Sequence, residues 1–175
     1  MTLLFLRKRD EEAGLTGDRT KRSRKAQRTL KMYSGNYSVA IDDRGRMRIP
    51  NKLRDLLGEN IVMCPGGNEF LLLMNDEDVE QMLGEKVNSS LLSDEEEKRD
   101  LLRMYMSLVF GLSEDKQKRF VIPPVLREVF GEEKNVVCLG MGKKIEVWPQ
   151  SVYDKRFPEK AKQLTYSMLV KKLGI

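Results

Sequence analysis

Apolar and polar positions interleave at period two from Tyr37, with Tyr37, Val39 and Ile41 alternating with Ser38, Ala40 and Asp42. That pattern predicts a half-buried strand. Asp42-Asp43-Arg44-Gly45 then reads as a turn, because Asp accepts backbone N–H groups and Gly is free to take positive φ. Alternation resumes in a second strand, with Met47 and Ile49 on one face and Arg46 and Arg48 on the other. Pro50 suits the first turn of a short helix whose apolar face is Leu53, Leu56 and Leu57 and which Gly58 closes. Two apolar runs, Ile61-Val62-Met63-Cys64 and Phe70-Leu71-Leu72-Leu73-Met74, flank Pro65-Gly66-Gly67-Asn68 and predict a hairpin.

The whole order returns later in the chain. Ile41-Asp42-Asp43-Arg44-Gly45-Arg46-Met47-Arg48-Ile49-Pro50 reappears as Glu114-Asp115-Lys116-Gln117-Lys118-Arg119-Phe120-Val121-Ile122-Pro123. Asp42 to Asp115, Arg46 to Arg119 and Pro50 to Pro123 are each 73 positions. Leu53, Arg54 and Gly58 keep that register with Leu126, Arg127 and Gly131. After a two-residue insertion, Ile61-Val62-Met63 matches Val136-Val137-Cys138, and Phe70-Leu71-Leu72-Leu73 matches Ile145-Glu146-Val147-Trp148. The chain therefore carries a duplicated unit of about 45 residues. A unit that small buries too little surface to stand alone, so the copies must share a core, within one chain or between chains.

Between the copies, Asn75-Asp76-Glu77-Asp78 is suited to cap a helix from about Val79 to Leu83. Ser93-Asp94-Glu95-Glu96 has capping-box spacing and opens a longer helix towards Val109. Leu101, Leu102, Tyr105, Leu108 and Val109 recur along it at helical spacing, which makes it a strut between the copies, with Met104 and Met106 read as packing residues. The tail from Gln150 carries a Tyr153/Phe157 pair and a Leu164/Met168 pair and reads as a docked or half-ordered helix. The expected division is a basic extension over 1–31, a first repeat over 32–83, a linker helix region over 84–109, a second repeat over 110–157 and a tail over 158–175.

Charge changes the picture mainly by its location. The net charge is +5, but residues 1–32 hold ten Lys and Arg against four Asp and Glu, leaving 22 against 23 for the rest. Overall basicity thus says nothing about what the duplicated body binds; local placement has to. Thr20-Lys21-Arg22-Ser23-Arg24-Lys25-Ala26-Gln27-Arg28 shows no apolar face at either period, and residues 1–31 read as a basic extension, disordered or helical only when bound, one that adds sequence-independent attraction to phosphates or has no task. Met32-Tyr33-Ser34-Gly35-Asn36-Tyr37 would itself make a good chain start, so a start codon chosen too far upstream also accounts for them.

The chain has no histidine, which removes the commonest general base and metal ligand. Cys64 and Cys138 lie in apolar runs and read as small buried hydrophobes rather than a disulfide or a metal site. Asp94-Glu95-Glu96-Glu97 is helix first-turn chemistry. Gly140-Met141-Gly142-Lys143-Lys144 lacks phosphate-loop spacing and falls where the repeat demands a hairpin turn. No catalytic residue, metal or cofactor is therefore expected. No apolar run approaches the ~20 residues that span a membrane, so a soluble cytoplasmic protein is the expectation.

What remains is the turn that occurs twice. Arg44, Arg46 and Arg48 fall within five residues, and Lys116, Lys118 and Arg119 give the matching cluster in a body that is otherwise electrically balanced. Exposed strand faces often carry Lys and Arg, yet the repetition predicts paired basic tips on one surface. Arg can hold phosphates or grip guanine O6 and N7 in bidentate fashion. Asp42, Gly45 and Asp115 are expected to fix the turns and orient the arginines.

At these residues the chain resembles the MraZ family, two-repeat bacterial regulators related to the SpoVT–AbrB proteins. The matching elements are Tyr33-x-Gly35-x-Tyr37, Asp42-x-x-Gly45-Arg46-x-x-Ile49-Pro50 and Arg54. They continue with Asp115-x-x-x-Arg119-x-x-Ile122-Pro123-Pro124-x-Leu126-Arg127 and Gly140-x-Gly142-x-Lys144-Ile145-Glu146-Val147-Trp148. The resemblance implies an α+β, β-rich fold of tandem swapped hairpins in which the two halves form a pseudo-dimer. It further implies ring-like homo-oligomers that bind direct repeats in double-stranded DNA before the division and cell-wall gene cluster, usually as a repressor, and hence association with the nucleoid. It carries the family's Asp-x-x-x-Arg pair over to Asp42/Arg46 and Asp115/Arg119. Lys118 departs from the pattern, standing where Gly45 stands in the first copy, so the second turn is expected to gain a charge and to risk another geometry. The rival of a different class is a ring-forming scaffold without nucleic acid.

Overall fold

The computed structural model describes residues 32–88, 94–157 and 166–174. The expectations for residues 1–31, for Ser93 and for Leu164 lie outside these residues. Eight strands form: β1 (Asn36–Ala40), β2 (Arg46–Met47), β3 (Ile61–Pro65), β4 (Leu71–Asn75), β5 (Phe110–Gly111), β6 (Phe120–Val121), β7 (Asn135–Met141) and β8 (Lys144–Pro149). Six of them make one antiparallel sheet in the order β1-β7-β8-β4-β3-β5, and β2 pairs with β6 in a separate two-stranded ladder.

That order is an exchange between the copies. The first strand of copy one, β1, joins the hairpin of copy two, with Tyr37 opposite Cys138. The first strand of copy two, β5, joins the hairpin of copy one, with Phe110 opposite Met63. Under the repeat register Tyr37 corresponds to Phe110 and Cys138 to Met63, so one residue pair is made twice. The two hairpins then meet through β4 and β8, where Leu71 faces Val147. The fold is the α+β swapped-hairpin pseudo-dimer. Neither copy can close its sheet without the other.

The shared core follows from the alternation. Met47 and Phe120 lie opposite each other in the β2–β6 ladder, and together with Ile49 and Ile122 they are essentially fully buried. Leu53 and Leu57 of α1 (Asn51–Leu57) and Leu126 of α4 (Pro124–Arg127) pack into the same cluster, as does Phe130 of the 3₁₀ turn that follows α4. Each such side chain contributes about 1.5–3 kcal/mol by leaving water. Pro50 and Pro123 sit at the N-cap positions, just outside their helices rather than in the first turn, with φ and ψ of −52° and 132° and of −52° and 133°. The same backbone entry at both prolines aims both short helices into the core alike.

Two helices differ from the sequence expectation. Helix α2 (Asp76–Asn88) begins earlier and ends later than Val79–Leu83. Asn75 and Asp76 side chains accept the Glu77 N–H at 2.9 and 3.0 Å, and three acidic residues in the first turn suit the helix dipole. Helix α3 (Glu95–Met106) has Asp94 as its N-cap, accepting the Glu96 N–H at 2.9 Å. It stops short of Val109 because Leu108 and Val109 turn back onto the carbonyls three residues before them. None of its residues is buried, and Met104 and Met106 are 66% and 47% exposed, which corrects their reading as packing residues. Its main anchor is Tyr105, whose hydroxyl donates to the Pro65 carbonyl at 2.7 Å.

The tail divides. Tyr153 of α5 (Gln150–Arg156) is buried, with Phe157 tilted against it at 5.0 Å and edge-on to Trp148 at 6.1 Å, so that pair docks as expected. In α6 (Tyr166–Leu173), Met168, Leu169, Val170 and Leu173 are exposed. Both cysteines are free and buried, Cys138 in the shared core and Cys64 on the opposite side of the sheet beneath α2. Burial pushes the Cys138 thiol up to about 12, which keeps it an unreactive hydrophobe. No described helix is long and apolar enough to cross a membrane.

Candidate nucleic-acid interface

The β2–β6 ladder sets the two basic turns side by side. In the first, the Asp42 carboxylate does the work of fixing the loop: Oδ1 accepts the N–H groups of Arg44 and Arg46 at 3.0 and 2.9 Å, and Oδ2 accepts Arg46 Nε at 2.8 Å and Nη2 at 2.7 Å. The Gly45 N–H closes the turn onto the Asp42 carbonyl at 2.8 Å. In the second, Asp115 Oδ1 accepts Gln117 and Arg119 N–H at 2.8 and 3.0 Å, and Oδ2 accepts Arg119 Nε and Nη2 at 3.0 and 2.8 Å. Here the Lys118 N–H closes the turn onto the Asp115 carbonyl at 2.9 Å. The two turns are the same structure.

That identity resolves the departure seen in the sequence. Gly45 has φ of +71° and Lys118 takes the same left-handed conformation at +61°, the one non-glycine with positive φ among the described residues. The second turn therefore keeps its geometry and gains its charge. The hydrogen bonds from Arg46, with backbone N–H groups behind them, hold the Asp42 carboxyl down at about 2, and Arg119 does the same for Asp115. Both are therefore ionised at neutral pH.

The two units touch across the pseudo-twofold. Arg119 Nη1 lies 3.9 Å from Asp42 Oδ2, so the Asp42 carboxylate faces arginines of both copies. Arg46 and Arg119 are about a quarter exposed, 24% and 25% for their side chains. Arg44, Arg48, Lys116 and Lys118 are exposed, and among the described residues none of the four is in an ion pair. Asp43, also exposed, is taken by Lys134. The structure thus brings all six predicted cations onto one ladder and its two adjoining turns, with Asp42, Gly45 and Asp115 fixing them.

Two braces were not assigned a role from sequence, although Arg54 and Arg127 are in register in the repeat. Arg127, from copy two, lies under the first turn: a Cβ on Gly45 would come within 2.1 Å of its guanidinium carbon, and its Nη2 donates to the Ile122 carbonyl at 3.0 Å. Arg54, from copy one, instead pairs with Glu114 beside the second turn, Nε to Oε1 at 2.8 Å, and also donates to the Gly58 carbonyl at 2.7 Å. The Arg54 hydrogen bond holds Glu114 below the ordinary carboxylate range. Each turn is therefore propped by the helix of the other copy. Copy two has Lys118 and Glu114 where copy one has Gly45 and Ile41, and the two braces differ.

These features meet the comparisons with known proteins. The family model described as "MraZ protein, putative antitoxin-like" matches residues 32–104 and 112–167. Among relatives carrying the name Transcriptional regulator MraZ, that of Lachnoclostridium phytofermentans is 33% identical over 123 residues, covering 70% of this chain and 85% of the relative. That of Acetivibrio thermocellus is 32% identical over 123 residues, with the same coverage of 70% and 85%. That of Clavibacter michiganensis is 29% identical over 124 residues, covering 71% and 85%. Matched by the family model through both of its repeats, the chain belongs to the MraZ family of transcriptional regulators.

Proposed function

We propose that this protein is a sequence-specific DNA-binding regulator, a repressor at the promoter of the division and cell-wall gene cluster, and that it acts on direct repeats as a ring-like homo-oligomer. The observation that carries the reading is the pair of identical Asp-x-x-x-Arg turns set side by side, with Arg44, Arg48, Lys116 and Lys118 outside any ion pair among the described residues. Arg44, Lys116 and Lys118 supply phosphate contacts, which position the protein on the duplex, and Arg48 reaches a base edge. Arg46 and Arg119 give Nε and Nη2 to their carboxylates, and each guanidinium is thereby held in one orientation towards base edges. Asp42 and Asp115 orient the arginines and do not themselves approach phosphate.

With about four to six phosphates engaged per protomer, log K falls with log salt at a slope of about −4 to −5. One protomer is then too weak alone, and several protomers aligned on repeated half-sites regain about 10²–10⁴-fold through effective concentration. In this reading residues 32–83 and 110–157 are the working repeats, 84–109 joins them, and 1–31 and 158–175 are accessory. The protein resides with the chromosome in the cytoplasm.

A scaffold that assembles a ring without nucleic acid is the second reading, favoured by the exposed apolar residues of α3 and α6 such as Leu101, Met104, Met168 and Leu173. Footprinting on the DNA upstream of this gene, with the full chain and with a chain lacking residues 1–31, separates the two. Protected direct repeats with both proteins support the regulator. No protection, or protection lost with residues 1–31, overturns it and leaves the scaffold or a nonspecific basic extension.

A further inference from the structure

The outer face of the β2–β6 ladder is chemically unequal in its two halves. Arg46 stands opposite Val121, and Met47 opposite Phe120. Because faces alternate along a strand, Met47 and Phe120 point into the core while Arg46 and Val121 share the outer face. Continued by one pair, the same register sets Arg48 against Arg119 on that face. The outer face thus holds three arginines and one valine.

The repeat register makes the valine informative. Val121 is the counterpart of Arg48, and Val125, at the start of α4, is the counterpart of Lys52. Two positions that are cationic in copy one are apolar in copy two. Both valines are open to solvent, Val121 at 51% and Val125 at 46%, so neither is accounted for by the core beneath. On a cationic surface, an exposed branched aliphatic flanked by arginines has a specific complement in duplex DNA. The 5-methyl group of thymine projects into the major groove beside the guanine O6 and N7 and the phosphates that arginines take.

We infer that Val121 is a specificity-determining residue: it contacts a thymine methyl in the half-site under copy two, where Arg48 makes a polar contact in the half-site under copy one. The inference rests on the DNA-binding reading above and adds to it a direction, since the two half-sites then differ in base preference and the protein distinguishes one orientation of its site from the other. Val125 extends the same apolar edge.

The test uses the full chain and a duplex from the region upstream of its own gene, with each thymine in turn replaced by deoxyuridine, which removes the methyl alone. Wild type is expected to lose about three- to fivefold in affinity at one thymine, the size expected for one buried methyl. Val121→Ala is expected to be insensitive at that thymine while responding as wild type everywhere else, and Val121→Arg to shift preference there towards guanine. Val121 is half exposed, so these variants keep the core, and unchanged thermal unfolding checks that they do. Wild type indifferent to every replacement, or Val121→Ala as sensitive as wild type, overturns the inference and leaves DNA binding standing. Wild type that holds this duplex no more tightly than a scrambled one overturns the DNA-binding reading itself, and the role of Val121 with it.

Discussion

Lys118→Gly should make the protein more stable and a weaker DNA binder at once. An L-residue held at left-handed φ costs about 1–2 kcal/mol, and Lys118 sits at +61°. Glycine removes that strain but brings about 0.5–1 kcal/mol of extra backbone entropy to be lost on folding. The net expectation is a gain of about 0.5–1 kcal/mol, seen as a rise of about 1–4 °C in Tm for a chain of this size. The turn itself survives, because its closing hydrogen bond uses the residue 118 backbone N–H and the Asp115 carbonyl, and glycine keeps that donor. Binding moves the other way: one phosphate contact fewer flattens the slope of log K against log salt by about 0.9. Thermal unfolding at fixed protomer concentration and anisotropy titrations from low to physiological salt read the two effects separately. A lowered Tm would show that the lysine side chain holds the turn, and an unchanged slope would show that it does not meet phosphate. The counterpart Gly45→Ala is expected to lose on both counts. Its Cβ would have to displace the Arg127 guanidinium as well as accept left-handed φ, at about 2–4 kcal/mol together.

Arg54→Ala strands the half-buried Glu114 and should cost about 1.5–3 kcal/mol in urea unfolding, part of which Arg54→Met combined with Glu114→Gln recovers. The Asp42 and Asp115 carboxyls, held at about 2 against an ordinary 3.8, bind fewer protons folded than unfolded between those values. Their contribution to stability is therefore complete above about 3.8 and disappears as pH falls towards 2, and the Asp42→Asn, Asp115→Asn double variant should show a flatter acid limb in a pH series of Tm. Arg46→Ala and Arg119→Ala should each weaken promoter binding at least about tenfold, the loss of one bidentate base contact, with Tm lowered only by the small contribution of a partly exposed ion pair. Equal loss of fold and binding in either would make the arginine structural.

The parts of this fold legible in the sequence are those set by neighbours along the chain. Met47 and Ile49 turn inward and Arg46 and Arg48 outward because period two admits no other arrangement once one face is buried. The Asp42 turn was legible for the same reason, its hydrogen bonds reaching no further than four residues. The exchange of β1 and β5 was not, since Tyr37 and Cys138 are about a hundred positions apart and no local pattern names a partner at that distance; it came only through the family resemblance. Helix α3 misled for a related reason. Its apolar spacing is real, but only Tyr105 and its neighbours towards β3 find something to cover them, while Leu101 and Met104 remain open. Arg54 and Arg127 show the limit most clearly, being one residue type in one register that ends on different partners: Arg127 lies in the space a Cβ at position 45 would need, and Arg54 pairs with Glu114, which stands where copy one has Ile41.

Fusing two copies in one chain is what permits those differences. In a symmetric homodimer each substitution appears twice across the axis, and a turn that needs glycine on one side needs it on the other. Here position 45 keeps glycine with Arg127 beneath it, while position 118 takes a lysine and the brace of that turn, Arg54, pairs with Glu114. The outer face diverges in the same way, Arg48 on one half and Val121 on the other, over an inner face where Met47 and Phe120 still meet on the pseudo-twofold. The buried layer must remain nearly symmetric for the exchanged sheet to close; the exposed layer has no such obligation. On the proposed DNA-binding reading, such a surface has a front and a back along the duplex, which a direct repeat rewards and a palindrome does not.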